Sequence, residues 1–341
     1  LSGFSDDDYI SAGALCYLKL EALYKDADII VKVKEPTPSE YHLLPLLRGK
    51  TLFTFLHLAG VDPELTKLLL EHKVTAIAYE TVTGTANGRT IFPILVPMSR
   101  IAGREAMRAA IAHQRKNGRE ALHAVILGCG IVGEAALNQA LVNSVASVAV
   151  FEIRPDHRAE LEWKYRDELK VSFLPFEALD TWGRGMLKSA DIVISGVMLP
   201  GGAAAPKVLN QKHFRIMKPG AYISDVAIDQ GGSTSWSKVT KPGETFTRGR
   251  KDLVFSCVPN IPGSTVPREA TEELTKVTRP YIELLAKYFT ESDRGIYWAL
   301  KDHPDLRAGL QTWGGMLTNR AVAERYNMTG YEYYKPLETI F

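Results

Sequence analysis

Short apolar runs rich in β-branched residues alternate along this chain with segments whose apolar residues recur at helical spacing. In the first quarter the short runs are Ala27 to Val33, Thr51 to Leu58 and Thr75 to Tyr79. The segment that opens at Asp62 places four leucines between positions 65 and 70, which is typical of an amphipathic helix. Strands that alternate with helices in this way predict a parallel α/β sheet.

A second series with the same alternation begins at Leu122. Its predicted strands are Ala124 to Leu127, Ser147 to Phe151, Asp191 to Ser195, Ala221 to Val226 and Leu253 to Val258. Because 341 residues exceed the usual size of one hydrophobic core, the two series predict two α/β domains.

A helix is expected on each side of the second series. Pro97-Met98-Ser99 introduces the first, with Ser99 as its N-cap, and small residues from Ala102 to Ala112 would allow close packing against another element. The second helix covers Pro267 to Phe289, with Pro280 as a kink. We place the two crossings between domains at these helices.

The segment 128–133, Gly-Cys-Gly-Ile-Val-Gly, directly follows the first strand of the second series. In such a GxGxxG motif, Gly128 allows a tight turn, Gly130 lets a pyrophosphate approach the backbone amides, and Gly133 permits close packing of helix on strand. Glu152 ends the next strand, where a carboxylate accepts hydrogen bonds from an adenosine ribose. Together they predict a dinucleotide site; the alternative is a tight turn without a ligand.

The expected fold is therefore α/β, with two Rossmann-like domains on parallel sheets. The dinucleotide-binding domain, residues 99–266, is inserted in a substrate domain formed by residues 1–98 and 267–341. Because a carboxylate at Glu152 repels the additional phosphate of NADP, NAD is the expected cofactor and NADH should be preferred over NADPH. Arg154 and Arg158 are interpreted as solvated surface charges rather than as phosphate ligands.

Composition argues against several classes of partner. The 41 basic and 39 acidic side chains nearly cancel, and no block of Lys and Arg interleaves with aromatic residues, so neither nucleic acid nor an anionic membrane is expected. No apolar stretch approaches the roughly 18 to 20 residues of a membrane helix. Cys16, Cys129 and Cys257 are too scattered for a disulfide framework or a metal site, which favours a cytoplasmic location and no metal.

Three polar residues fall after predicted strands, where α/β enzymes place their chemistry: Lys34, His57 and Asp229. Each also has a plain structural interpretation. A strand-end lysine is usually solvated, a histidine after Phe-Leu can be a core residue, and an aspartate before Gln-Gly-Gly can form a turn. On position alone, the three residues are candidates only.

Six segments, in order along nearly the whole chain, closely resemble those of alanine dehydrogenases. They are 31–36 (VKVKEP), 52–59 (LFTFLHLA), 78–82 (AYETV), 97–99 (PMS), 226–232 (VAIDQGG) and 260–263 (NIPG). The chain is thereby identified as a member of the wider family that also includes the α-subunit of transhydrogenase.

The resemblance implies an oxidoreductase of amino-acid metabolism that reversibly converts L-alanine, NAD and water to pyruvate, ammonia and NADH, with hydride transfer to an imine. It implies that Lys34 holds and polarises the oxo acid, that His57 is the general acid/base, and that Asp229 assists near the amine and the nicotinamide. Ser99, Val197 and Asn260 match family positions that line the cofactor. A cytoplasmic homo-oligomer, a dimer or a hexamer, is also implied.

Two departures from the family bear on the substrate. The family's first strand and helix carry an arginine that grips the substrate carboxylate, and this sequence starts after that unit; the loop Pro200 to Pro206 lacks a lysine that is common in the family. The alternatives are an opine-type synthase, which reductively joins an oxo acid to an amino acid, a transhydrogenase-like nucleotide-binding module without catalysis, and a pseudoenzyme.

Overall fold

The computed structural model describes residues 2–60, 63–86, 88–197, 204–291 and 295–341. Positions 200–203, in the loop that departs from the family, lie outside the described residues. The chain forms two compact units. The first unit comprises the described residues of Leu1–Pro97 and Arg268–Phe341, and the second unit those of Met98–Leu199 and Ala204–Pro267.

Strands and helices are numbered in chain order. The strands are β1 Ile29–Val31, β2 Thr51–Thr54, β3 Thr75–Ala78, β4 Gly84–Ala86, β5 Arg89–Ile91, β6 His123–Leu127, β7 Ser147–Glu152, β8 Val171–Pro175, β9 Ile192–Ser195, β10 Tyr222–Asp225, β11 Phe246–Arg248, β12 Leu253–Ser256, β13 Leu310–Trp313 and β14 Met316–Leu317. The helices are α1 Asp6–Ser11, α2 Leu20–Asp26, α3 Pro63–Glu71, α4 Leu95–Lys116, α5 Ile131–Val142, α6 Pro155–Lys164, α7 Arg184–Ser189, α8 Gln211–Phe214, α9 Ile261–Thr265, α10 Pro267–Glu291, α11 Gly295–Asp302, α12 Pro304–Arg307 and α13 Arg320–Arg325. Short 3-10 turns cover Pro38–Leu47, Tyr79–Thr81, Phe176–Asp180, Val226–Gln230 and Leu337–Thr339.

The second unit is built on a seven-stranded sheet in the order β11-β12-β10-β9-β6-β7-β8. Its strands pair in parallel, apart from the edge strand β11, which runs antiparallel to β12. From β8 to β12 this is the order of a doubly wound sheet, which reverses direction between β6 and β9. The predicted Rossmann-like α/β fold is confirmed, and the reversal marks where such sheets open a crevice for a ligand.

The first unit is built on a five-stranded sheet in the order β1-β2-β3-β13-β14. Its first three strands are parallel, but β13 runs antiparallel to β3 and β14 antiparallel to β13. The three strands predicted from the sequence are parallel, as expected, whereas the antiparallel strands β13 and β14 were not predicted. The turn at Gly314 and Gly315, both at positive φ, makes β13 and β14 a hairpin, whose strands pair antiparallel to each other.

Two predicted boundaries need correction. Ser99 is not an N-cap, because α4 begins at Leu95 and encloses it; Pro97 lies in the first turn, where its missing amide hydrogen costs no helical hydrogen bond. The strand predicted over Thr51 to Leu58 ends at Thr54, although the chain stays buried beyond it.

Within the described ranges, none of the helices combines the length and the apolar character needed to cross a bilayer. The same ranges contain no group of three or more His, Cys, Asp or Glu side chains placed to hold a metal ion. All three cysteines are free thiols, with Cys129 and Cys257 buried and Cys16 exposed.

The carboxylate of Asp191 joins three segments at the amino-terminal edge of the second unit's sheet. It accepts hydrogen bonds from Arg119 Nη1 at 2.7 Å, from Lys218 Nζ at 2.9 Å and from the His123 backbone amide at 2.9 Å. Burial raises the pKa of Asp191, but the hydrogen bonds from these three donors and the charge of Lys218 outweigh it and hold the pKa below its ordinary value. A buried carboxylate is stabilised as an anion when its donors are supplied in this way.

We expect Asp191→Asn to lower the free energy of unfolding by about 2 kcal/mol near neutral pH, the scale of hydrogen bonds to a charged group. Because the folded pKa is lowered, the stabilisation is complete above the ordinary aspartate value of about 3.9 and is lost as the pH falls through the folded value. Denaturant unfolding measured between neutral pH and about pH 3 should show the two proteins converging. A difference that stays constant across that range would contradict this account.

Candidate active site

Three ionisable residues lie side by side at the carboxyl ends of β1, β2 and β3 in the first unit. They are Lys34, His57 and Glu80, and they follow neighbouring strands that pair in parallel. The pairing continues past the strands, since the Phe55 amide donates to the Val33 carbonyl at 3.3 Å. Each residue follows its strand, as the sequence predicted, and because parallel strands bring their carboxyl ends to one edge, the structure places Lys34 and His57 at the same edge.

Glu80 is the member of this group that the sequence analysis missed. Its carboxylate accepts hydrogen bonds from two backbone amides of the turn after β2. Oε1 accepts from the His57 amide at 2.6 Å, and Oε2 accepts from the Leu56 amide at 3.2 Å. His57 itself has φ of 46°, in the left-handed region that is uncommon for residues other than glycine. Such a conformation costs on the order of 1–3 kcal/mol and persists where its surroundings enforce it. Here Glu80 holds the turn in place.

The imidazole of His57 is oriented but not satisfied. Its ring stacks on Phe55, with centroids 5.6 Å apart and planes 5° from parallel. Its Nδ1 is buried, lies 3.8 Å from Glu80 Oε1, beyond hydrogen-bond range, and has no hydrogen-bond partner among the described residues. A core histidine would have its nitrogens paired, so this geometry favours a ring that is held ready for another molecule.

Lys34 is fixed through its backbone. Its carbonyl accepts a hydrogen bond at 3.1 Å from the hydroxyl of Thr54, the fully buried last residue of β2. The lysine is half-buried at the bend that follows β1. The next residue, Glu35, has a buried Oε2 atom without a hydrogen-bond partner among the described residues. The edge therefore contains a second buried polar atom that could accept a hydrogen bond from water or from a ligand.

In the second unit, the GxGxxG motif has the geometry that a dinucleotide requires. Gly128 follows β6 with φ of +77°, a left-handed turn that glycine adopts without strain. A Cβ added at Gly133 would lie 2.1 Å from the Gly128 carbonyl oxygen, whereas one at Gly130 would meet nothing within 4 Å. The first and third glycines are thus required by the fold, and the second leaves open space over the backbone at the amino end of α5. The site therefore fits a dinucleotide.

The first turn of α5 lies in backbone contact with its neighbours. A Cβ at Gly103 of α4 would stand 2.0 Å from the Val132 carbonyl oxygen, and one at Gly196 would stand 2.9 Å from Val132 Cγ1. The predicted close packing of the small residues in α4 is confirmed by this contact. Val197, one of the expected cofactor residues, follows β9 and would touch a Cβ at Gly128 at 3.4 Å, so it borders the motif.

Glu152 is buried to 3% exposure at the end of β7 and is already hydrogen-bonded by the protein. Oε2 accepts from the Cys129 amide at 2.9 Å, and Oε1 accepts from the Arg154 amide at 3.0 Å and from Arg154 Nε at 3.1 Å. Burial raises the pKa of Glu152, but these hydrogen bonds and the Arg154 charge hold it below its ordinary range. Arg154 is solvated, with its side chain 57% exposed, and it also forms an ion pair with Glu152.

The remaining predicted residues lie along the same edge of the second unit's sheet or on α4. Asp229 is half-buried in the 3-10 turn after β10. Asn260 follows β12 and caps α9, its Oδ1 accepting from the Gly263 amide at 3.3 Å. Ser99 is buried within α4. Asp229 thus belongs to the second unit, while Lys34 and His57 belong to the first.

Asp225, which the sequence analysis treated only as a strand residue, holds the segment that carries Asp229. It is fully buried and accepts hydrogen bonds from the amides of Ala227 at 3.2 Å and Ser233 at 2.7 Å, on either side of Asp229. The Ser237 hydroxyl also donates to it. Glu80 could have been found by the positional rule that selected Lys34 and His57, because it follows a predicted strand; Asp225 lies inside one and offered no such indication.

We expect Glu80→Gln to lower kcat by roughly ten- to a hundredfold, because an NH₂ group, which cannot accept a hydrogen bond, replaces one carboxylate oxygen and the negative charge that anchors the turn of His57 is lost. The dissociation constant of NADH should be unaffected. Glu71→Gln, an exposed change in the same unit, is the matched control. Equal kinetics for the two variants would show that Glu80 has no role in the active site.

Two glycine substitutions separate the fold from the ligand site. Gly133→Ala places its Cβ 2.1 Å from a backbone oxygen and should destabilise the protein by several kcal/mol, as overpacking does. Gly130→Ala has room for its Cβ and should leave the melting temperature nearly unchanged, yet weaken NADH binding about tenfold or more by filling the space over the backbone. Melting curves and NADH titrations test both, and normal NADH binding by Gly130→Ala would count against a dinucleotide at this motif.

Two family models match the chain: Alanine dehydrogenase/PNT, N-terminal domain, over residues 1–102, and Alanine dehydrogenase/PNT, C-terminal domain, over residues 99–320. The alanine dehydrogenase of Halomonas elongata is 38% identical over 99% of this chain and 88% of that protein. That of Bacillus subtilis is 37% identical over 97% of this chain and 85% of that protein.

Solved structures agree with these matches. An L-alanine dehydrogenase superposes with a TM-score of 0.79 at 33% identity, covering 96% of this chain and 88% of that one. A transhydrogenase from Sinorhizobium meliloti superposes with a TM-score of 0.70 at 19% identity, covering 94% of this chain and 87% of that one, and so shares the fold.

Proposed function

The chain belongs to the alanine dehydrogenase/PNT family, and on that premise we propose that it is an NAD-dependent dehydrogenase that interconverts L-alanine and pyruvate. The second unit, with its GxGxxG motif, is the NAD-binding domain, inserted between the two parts of the substrate domain. We further propose a homo-oligomer, a dimer or a hexamer, in the cytoplasm, as the family resemblance implies.

The observation that carries the proposal is the arrangement of Lys34, His57 and Glu80 at one sheet edge. The buried Nδ1 of His57 has no hydrogen-bond partner among the described residues, the ring stacks on Phe55, and the backbone is held in a strained conformation; this arrangement suits proton transfer better than packing. Lys34, on the neighbouring strand, supplies a positive charge that can bind the carboxylate of an oxo acid and polarise its carbonyl. A transhydrogenase-like module without amino-acid chemistry has no use for such a pair.

The protons and charges of the reaction come from the chain's own residues. When bound, NAD(H) supplies or accepts the hydride. His57 donates a proton to the oxygen that leaves the substrate carbon as ammonia replaces it, and accepts a proton from water in the reverse direction. Lys34 holds the oxo acid and polarises its carbonyl, which makes the carbon electrophilic. Asp229 assists at the amine, and Asp225 positions the turn that carries it.

Gly128, Gly130 and Gly133 would hold the pyrophosphate at the amino end of α5, and Glu152 would face the adenosine ribose. Ser99, Val197 and Asn260 complete the cofactor site in this proposal. The support is positional: apart from Ser99 on α4, these residues end β7 or follow β6, β9 and β12 at the carboxyl edge of one sheet.

A direct assay decides between the candidate activities. NADH oxidation with pyruvate should require ammonium and should not be supported by L-ornithine or L-lysine in its place; L-alanine with NAD should give the reverse reaction. Oxidation that depends on ornithine or lysine would identify an opine-type synthase. NADH binding without oxidation under any of these conditions would identify a nucleotide-binding module.

We expect His57→Gln to lower kcat by at least about a hundredfold, the usual scale of general acid/base catalysis, while NADH still binds. Turnover, melting temperature and NADH titration should be measured on the same preparation. His42→Gln, an exposed histidine of the first unit, is the control and should leave all three unchanged. Retained turnover by His57→Gln together with a lowered melting temperature would return His57 to a structural role.

A further inference from the structure

The ion pair between Glu152 and Arg154 changes what the ribose end of the dinucleotide site can recognise. An adenosine ribose is held when its two hydroxyls donate to a carboxylate at the end of this strand. A carboxylate oxygen accepts about two hydrogen bonds. Oε1 of Glu152 already accepts two from Arg154, and Oε2 accepts one from Cys129, so one acceptor position is left. The carboxylate is therefore better placed to accept hydrogen bonds from the protein than to accept one from each ribose hydroxyl.

The charge at this position is also balanced. A carboxylate excludes NADP because it repels the phosphate at the adenosine 2′ position. The guanidinium of Arg154 lies 3.1 Å from that carboxylate, so a phosphate would meet a neutral pair instead of an isolated negative charge. With Glu152 at 3% exposure and the Arg154 side chain at 57%, the cation is the more accessible partner.

Arg154 still has donors for a phosphate. Only its Nε is bonded to Glu152, and its two Nη groups have no hydrogen-bond partner among the described residues. Arginine binds phosphate oxygens in a fork geometry, and an arginine near the ribose is the feature by which dinucleotide folds accommodate this phosphate. Arg154 is also the N-cap of α6, so a phosphate there would lie near the positive end of a ten-residue helix.

We propose that Arg154 forms a binding site for the adenosine 2′-phosphate, so that this chain binds NADP(H) as well as NAD(H). The proposal rests on the dinucleotide site of the proposed function and extends it to a second cofactor class. Neighbouring charges define it further: Arg158 is engaged with Glu162 at 3.5 Å, and His157 Nε2 donates to the Cys129 carbonyl at 2.9 Å. Asp156 is an acidic residue in the first turn of α6.

Binding measured without any amino acid or oxo acid tests the proposal independently of catalysis. NADH and NADPH are titrated by fluorescence into the full chain and into Arg154→Ala. The unaltered protein should bind NADPH within about tenfold of NADH. Arg154→Ala should weaken NADPH about tenfold or more and leave NADH unchanged or slightly tighter, because Oε1 of Glu152 becomes available to the ribose. Added salt should weaken NADPH more than NADH.

Arg166→Ala is the matched control, since its side chain is 55% exposed and lies in the same unit, and it should change neither affinity. Arg154→Met, which keeps the aliphatic stem, repeats the test should the alanine variant fold poorly. NADPH binding more than about a hundredfold weaker than NADH in the unaltered protein would overturn the inference and leave the proposed function standing. If Arg154→Ala weakens the binding of NADH and NADPH equally, the ion pair of Glu152 and Arg154 only stabilises the GxGxxG loop, and the proposed phosphate site is wrong. If neither cofactor binds, both proposals fail.

Discussion

The close contact of the first turn of α5 with the backbone around it is the constraint on which the second unit depends. At Gly133 and Gly103 the nearest atoms to an added Cβ are backbone oxygens, at 2.1 and 2.0 Å, so no side-chain rearrangement could make room. This contact fixes the amino end of α5 against β6 and α4 at the point where the sheet order reverses. Gly130, between Gly128 and Gly133, is the open position of the motif, since an added Cβ there meets nothing within 4 Å.

Buried carboxylates organise the turns that carry the functional groups. Glu80, Glu152 and Asp225 each lie at or just after a strand end and each accept backbone amides: from the turn of His57, from the GxGxxG loop and from the segment around Asp229. Such an anion is stable in the interior because directed amide dipoles replace its water. In each case a buried carboxylate fixes the backbone of the turn or loop beside it.

The sequence predicted most of this arrangement because the relevant patterns are local. An apolar run followed by a polar residue locates a strand end, and this rule found Lys34 and His57. It missed β8, whose residues are partly exposed and lack a strong apolar pattern. It also extended β2 to Leu58, because the chain stays buried while its backbone turns, and the left-handed conformation of His57 depends on Glu80, more than twenty residues away. The pairing of Arg154 with Glu152 is likewise a matter of side-chain geometry that spacing does not reveal.

The antiparallel strand β13 has a consequence for synthesis on the ribosome. It completes the first unit's sheet by pairing with β3, and the Thr312 hydroxyl donates to the Val74 carbonyl across 238 positions of chain. The edge of β3 therefore emerges long before its partner, while the intervening residues, which contain the whole second unit, are still being translated. An unpaired strand edge invites pairing with other chains. Translation speed and chaperone access should accordingly influence the yield of native protein.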